Sequence, residues 1–212
     1  MIEFLNIDST AYMKGLPDLA FDFALVDPDY GIGENWRKDK YSKFYKHRST
    51  YKNKAIPSKE YFDQLFRVSK HQIIWGANYY TEFLPPRNSW IIWDKKRNYT
   101  DSHMAECELA WHSLNVPARI IRLAWNGFIR CEPRSGIHPH EKPVGLYKWI
   151  LNNYCMGEGR RILDTHLGSA SSAIAAYQMG FDFVGCEIDP EYYQLAQSRF
   201  INETKQLTLF KK

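Results

Sequence analysis

Apolar runs and polar breaks alternate along the chain in the rhythm of strand, turn and helix. Residues 2–7 read as a short strand, and Asp8-Ser9-Thr10 offers capping oxygens for a small helix at 11–14 that Gly15 ends. The run Phe21-Asp22-Phe23-Ala24-Leu25-Val26 predicts a buried strand closed by Asp27-Pro28-Asp29-Tyr30. Ser58 opens a second helix, in which Tyr61, Leu65 and Val68 fall on one face. A strand at 71–75 breaks at Gly76, and a short helix at 78–83 stops before Pro85-Pro86. Strands at 89–93, 107–111 and 118–125 suggest an antiparallel edge. A helix at 143–154 with Pro143 in its first turn, a strand at 161–163, a small-residue helix at 171–179, a strand at 181–186 and a helix from 191 to about 202 complete the pattern. Together these predict one α/β domain over residues 1–212, with a loop at 31–57 and another at 126–143, and neither a repeat nor a domain linker.

In open α/β sheets, ligands gather beyond the carboxyl ends of the strands, so a carboxylate at such an end faces a site. Asp27 is one. Pro28 fixes its own backbone and stiffens the turn that carries Asp27 and the Tyr30 ring, although an ordinary strand exit would read the same way. A second constellation runs from the strand at 161–163 through Asp164-Thr165-His166-Leu167-Gly168-Ser169-Ala170, a helix and a strand to Glu187-Ile188-Asp189. This is the outline of a nucleoside-binding βαβ unit, with Gly168 allowing close backbone approach and Glu187 placed for ribose hydroxyls. The further glycines that seat a pyrophosphate are missing, so an adenosyl group suits the loop better than a dinucleotide. A purely structural βαβ unit is the alternative.

Composition narrows the partners. The 212 residues are 44% hydrophobic with no apolar stretch of membrane-spanning length, and Met1-Ile2-Glu3-Phe4 lacks the marks of a signal peptide; a cytoplasmic protein without a membrane partner is expected. The four cysteines are scattered and read as free thiols. His138 and His140 have no regular ligand spacing with Cys131, and no metal is expected. Net charge is only +4, but the basic residues cluster. Arg37, Lys38, Lys40, Lys43, Lys46 and Arg48 alternate with aromatics that include Trp36, and Lys95 and Arg97 mark a second basic loop. Such a mixture neutralises phosphates and stacks on bases, so it suits a nucleic-acid strand passing near Asp27; a solvated loop is the alternative. Oligomeric state is not legible, and a homodimer stays open.

Asp27-Pro28-Asp29-Tyr30 resembles the Asp-Pro-Pro-Tyr signature of amino-group DNA methyltransferases. Asp164-Thr165-His166-Leu167-Gly168-Ser169 resembles their cofactor loop, and His138-Pro139-His140-Glu141-Lys142-Pro143 is similar to the His-Pro-Thr-Gln-Lys-Pro segment that precedes it. The order, catalytic motif first, is that of the circularly permuted β class, and the chain most resembles its small phage and mobile-element members. The resemblance implies a Rossmann-like S-adenosylmethionine-dependent fold with a seven-stranded mixed sheet and helices on both faces. It further implies site-specific methylation of DNA, as in restriction-modification. On this resemblance Asp27, Pro28, Asp29 and Tyr30 form the catalytic turn. Asp8, Asp27, His138, Lys142, Pro143, Asp164, Thr165, His166, Gly168, Ser169, Ala170, Glu187, Ile188 and Asp189 line the cofactor. The Asp-Pro-x-Tyr form favours adenine N6; cytosine N4, or a degenerate relative that binds without turnover, are the alternatives. Asp29 replaces a proline and removes a conformational lock, Ala170 replaces a common glycine, and Glu141 sets a carboxylate next to Lys142 in sequence.

Overall fold

A computed structural model describes residues 1–31, 55–95, 105–126, 129–156 and 160–208. Among the described residues, ten strands and five α-helices follow in chain order: β1 (Ile2–Leu5), α1 (Ser9–Lys14), β2 (Phe21–Val26), α2 (Lys59–Val68), β3 (Ser69–Trp75), β4 (Trp90–Asp94), β5 (Cys107–His112), β6 (Arg119–Arg122), β7 (Trp125–Asn126), β8 (Ile129–Arg130), α3 (Val144–Tyr154), β9 (Arg161–Asp164), α4 (Ser171–Met179), β10 (Asp182–Cys186) and α5 (Pro190–Thr208). Local chemistry explains the helix starts. Asp8 caps α1 by accepting the Ala11 N–H at 2.8 Å, and the Ser58 hydroxyl caps α2 by accepting from Tyr61.

The main sheet has the order β1-β10-β9-β2-β3-β5-β4-β6. Strands β1, β10, β9, β2 and β3 are mutually parallel, and β5 runs antiparallel to both β3 and β4. One core packs α3, α4 and α5 on one face, with Leu146, Ile150, Ala173, Ile174 and Ala196. The other packs α1 and α2 on the opposite face, with Met13, Phe62 and Leu65. The expected mixed sheet with helices on both faces is therefore present.

Several details differ from expectation. The sheet holds eight strands where the resemblance implied seven, because β6 adds to the outer edge of β4. That last pair is parallel, so the edge is only partly antiparallel; a strand's partner is set by how the chain crosses over, which local pattern does not encode. Residues 78–83 give two 3₁₀ turns, Ala77–Tyr79 and Thr81–Phe83, in place of one helix. Pro143 stands at the cap of α3 and not inside it. The stretch at 126–143 is not all loop, since β8 pairs with β7 there. Among the described residues no helix is long and apolar enough to cross a membrane.

Candidate active site

Five neighbouring parallel strands bring four of the predicted acids, and Gly76 with them, to the carboxyl ends of the sheet. Asp8 follows β1, Glu187 follows β10, Asp164 ends β9, Asp27 follows β2 and Gly76 follows β3, in the spatial order of the sheet. Glu187 and Asp27 are thus two strand spacings apart, about 10 Å, the scale of a nucleoside with a short tail.

The Asp27 turn is held from beneath. The Tyr80 hydroxyl lies 2.7 Å from both the Pro28 and the Asp29 carbonyl oxygens, and Tyr80 is fully buried. This clamp supplies a lock at the point where Asp29 stands in place of a second proline. Tyr30 donates its hydroxyl to Asp27 Oδ1 at 2.6 Å, and its ring stacks on Tyr79 with centroids 5.1 Å apart. Gly76, at φ +67°, lets the backbone pass under the Tyr30 ring; a Cβ there would sit 2.1 Å from Tyr30 Cε1.

Four charges surround this turn. Lys142 Nζ contacts Asp27 Oδ2, lies 3.1 Å from Glu108 Oε2 and donates to the Tyr30 hydroxyl at 3.2 Å. Lys95 pairs with Glu108 Oε1. Burial alone would raise the Glu108 carboxyl, but Lys142 and Lys95 outweigh it and hold the group down at about 2. Burial would lower Lys142, yet Asp27 and Glu108 prevail and raise it. Burial, helped by the charges of Asp27 and Glu108, pushes the Tyr30 phenol well above its ordinary value, so it remains a donor. Asp27 is therefore an acceptor already engaged by an ammonium and a phenol.

The loop after β9 is knit internally. Both Asp164 oxygens are engaged, one by the His166 N–H at 2.9 Å and the other by the Ser172 hydroxyl at 2.6 Å, so Asp164 shapes the loop. Thr165 meets the Tyr61 hydroxyl at 2.6 Å and His166 Nδ1 at 2.9 Å, tying the loop to α2. Gly168 and Asp189 donate their N–H groups to the two Glu187 oxygens at 2.9 and 3.0 Å. Burial still pushes Glu187 up to about 7 and Asp164 up to about 6. Beside Glu187, Ile188 keeps an apolar side chain 40% exposed. Asp189 caps α5, accepting from Glu191 at 2.8 Å. Ala170 adopts a left-handed backbone, φ +64°, at the cap of α4 and is fully buried.

The segment at 138–143 covers this loop. The His138 ring lies near Gly168 and meets Tyr192 edge-on at 4.7 Å. Glu141 turns away from Lys142: its carboxylate accepts the Ser135 hydroxyl at 2.6 Å and the Ser135 N–H at 2.9 Å, and lies 3.4 Å from Arg199. Arg199 in turn donates to the Ser169 carbonyl and the Ser171 hydroxyl, both at 2.9 Å. Pro143, buried, leads from Lys142 into α3.

Sequence reasoning missed Glu108, Tyr80, Tyr61 and Arg199. The available signals were weak ones: a carboxylate inside the run at 107–112, and an arginine on the same helical face of α5 as Tyr192 and Ala196. Lys95 turns inward to Glu108. Trp36, Arg37, Lys38, Lys40, Lys43, Lys46, Arg48 and Arg97 lie outside the described residues.

Comparison with known proteins is consistent with this arrangement. The chain is 28% identical over 117 residues to the type II methyltransferase M2.DpnII of Streptococcus pneumoniae, a stretch that is 54% of this chain and 42% of that enzyme. The chain thus spans less than half the length of that curated relative. Among solved structures, the M1.HpyAVI–SAM complex superposes with a TM-score of 0.60 at 18% identity, covering 94% of this chain and all of that one. PvuII DNA methyltransferase, cytosine-N4-specific, gives 0.61 at 12% identity over 98% of this chain and 90% of its own. These likenesses show a common fold. The N6_N4_Mtase family model, described as DNA methylase, matches residues 35–198, and a match over more than half of its length makes this chain a member of that DNA methylase family.

Proposed function

We propose that the protein is a site-specific DNA methyltransferase that moves a methyl group from S-adenosylmethionine to the N6 amine of adenine. The observation that carries this reading is the Asp27 turn, where a carboxylate and the Pro28 carbonyl are held together at a strand end by the Tyr80 clamp. We infer one methyltransferase domain, supported by the pairing of the first strand, β1, with the last, β10. The permuted β-class order is supported by Asp27, just after β2, preceding Asp164, at the end of β9, in the chain while those strands are neighbours.

The residues fit the cofactor. Glu187 keeps acceptor capacity beyond its two backbone donors, which suits the ribose hydroxyls, and the exposed Ile188 beside it offers a surface for adenine. Asp8, His138, Lys142, Pro143, Thr165, His166, Gly168, Ser169, Ala170 and Asp189 complete the lining in this reading. When bound, S-adenosylmethionine supplies an electrophilic methyl on a sulfonium.

An adenine amine is a weak nucleophile because its lone pair is delocalised into the ring. Asp27 and the Pro28 carbonyl accept its two hydrogens and favour a tetrahedral nitrogen, so positioning and preorganised electrostatics carry the step. Tyr80 uses one lone pair of the Pro28 oxygen and leaves the other. Asp27 is also the nearest base for the proton the methylated nitrogen sheds. The target base leaves the duplex to reach this turn, and the Tyr30 ring offsets part of the unstacking cost. It stacks there in place of Tyr79, a residue that is 43% exposed. The basic and aromatic residues between 31 and 57, with Arg97, would follow the DNA backbone, whereas Lys95, expected in that group, is spent on Glu108.

Incubation with labelled S-adenosylmethionine and DNA, followed by digestion to nucleosides, tests the reading. N6-methyladenine is the expected product. Label confined to N4-methylcytosine rejects the base assignment, and no label on DNA rejects the activity.

A further inference from the structure

Asp27 is filled as the site stands. Tyr30 occupies Oδ1 and Lys142 occupies Oδ2, so an arriving amine meets an acceptor whose charge is already neutralised. The attacking nitrogen also becomes positive as it takes the methyl, and an ammonium seated on Asp27 opposes that change. A site that works through Asp27 needs somewhere else for Lys142 to go.

Glu108 is that place. Its Oε2 is 3.1 Å from Lys142 Nζ, within ion-pair range, so the ammonium can change carboxylates by a side-chain shift alone. Lys95 holds the other oxygen and anchors the carboxylate. The four side chains form a neutral set, two carboxylates and two ammoniums. The Lys142 side chain is 3% exposed, while those of Lys95, Asp27 and Glu108 are 14%, 16% and 22% exposed. The Tyr30 hydroxyl, 3.5 Å from Glu108 Oε2 and 3.2 Å from Lys142, bridges the two halves. His140, Asp164, His166, Tyr147 and Tyr80 also lie within electrostatic range of this set; burial lowers His140 and His166, which favours their neutral forms, and raises Asp164, Tyr147 and Tyr80, which favours theirs.

We propose that Glu108 is a positioning residue that draws the Lys142 ammonium off Asp27 when the target base enters, freeing Asp27 to accept the amine hydrogen. This rests on the methyl-transfer reading above. Without the Glu108 charge, Lys142 stays pinned on Asp27 and the cluster carries a net positive charge beside a nitrogen that must itself become positive.

The test compares wild type, Glu108→Gln, Glu108→Asp and the double variant Glu108→Gln/Lys142→Gln. Glu108→Gln is expected to lower kcat by about tenfold or more while the KM for S-adenosylmethionine stays within about twofold, and Glu108→Asp to recover part of the loss. Removing the stranded ammonium in the double variant should raise kcat at least about threefold above Glu108→Gln, a non-additivity expected of coupled groups. A Glu108→Gln enzyme with unchanged kcat, or a double variant slower than Glu108→Gln, overturns the proposal. A readout without turnover runs beside it: in lysine-¹⁵N-labelled protein, the Lys142 ammonium resonance should move between wild type and Glu108→Gln. If wild type transfers no methyl to DNA, the functional reading falls; the resonance then decides alone, and an unmoved signal overturns the sharing.

Discussion

The Tyr80 hydroxyl reaches the Pro28 carbonyl across the floor of the Asp27 turn, at 2.7 Å, and stands at the same distance from the Asp29 carbonyl. The hydroxyl has one hydrogen to share between them, so losing this donor strands one carbonyl in a mostly buried place. Tyr80→Phe is expected to cost about 1–2 kcal/mol of stability, measured by urea unfolding. It should also loosen the acceptors, lowering kcat by about tenfold while affinity for S-adenosylhomocysteine is retained. A variant equally stable and equally active would show that the clamp is idle.

Gly76 gives a sharper probe of the same turn. Its φ of +67° costs any other residue, and an added Cβ would also strike the Tyr30 ring at 2.1 Å. Gly136 has φ +72° with nothing within 4 Å of an added Cβ, so Gly136→Ala isolates the backbone cost, about 1–2 kcal/mol. Gly76→Ala is expected to lose about 1–3 kcal/mol more than that through overpacking, and to displace Tyr30 with loss of methyl transfer. Equal melting shifts for the two variants would mean the ring yields at no cost.

Much of the scaffold was legible because it is local. The capping of α1 and α2, the β2 strand with its polar exit, and the bounds of α4 follow from neighbouring residues alone. The edge acids were legible for the same reason, each ending an apolar run. What failed was pairwise. Glu108 matters because β5 runs beside β3 and points it at Lys142, 34 positions along the chain. Glu141 reads as a neighbour of Lys142, yet the turn at 135–136 and Arg199 draw its carboxylate to the other side. Tyr80 looks like an ordinary aromatic until the 3₁₀ turn aims it at Pro28. The parallel β4–β6 pair likewise depends on a crossover, which local periodicity cannot register.

The acids at the cofactor end predict a pH dependence. Glu187 titrates near 7 and Asp164 near 6 in the folded chain, against ordinary values of 4.5 and 3.8. The folded state therefore binds more protons than the unfolded one across this window, and the stability these groups contribute at low pH is lost as pH rises through 6 and 7. Melting of wild type minus that of Glu187→Gln should fall between about pH 5 and about pH 8. A ligand whose hydroxyls donate to Glu187 favours the ionised carboxylate, so S-adenosylhomocysteine should bind more tightly over the same rise and release a proton. Calorimetry in two buffers of different ionisation enthalpy reads that proton, and a buffer-independent heat would count against Glu187 as the acceptor.

Ala170 sets two small effects against each other. Its left-handed backbone, φ +64°, is strained by about 1 kcal/mol, and glycine would relieve that. The same change strips a fully buried methyl, worth about 0.8 kcal/mol. The expected balance for Ala170→Gly is a change within about 0.5 kcal/mol by urea unfolding. An alanine here therefore does not stiffen the helix start, since stiffening helps only where the backbone angle suits the side chain. Ala170→Val removes the balance: a β-branched side chain is a poor fit for this angle and the site is closed, so a loss above about 2 kcal/mol is expected. If valine is tolerated as well as glycine, the helix start must relax out of the left-handed region, and the Ser169 carbonyl that Arg199 now holds at 2.9 Å should lose its partner. A crystal structure of Ala170→Val would show which happens.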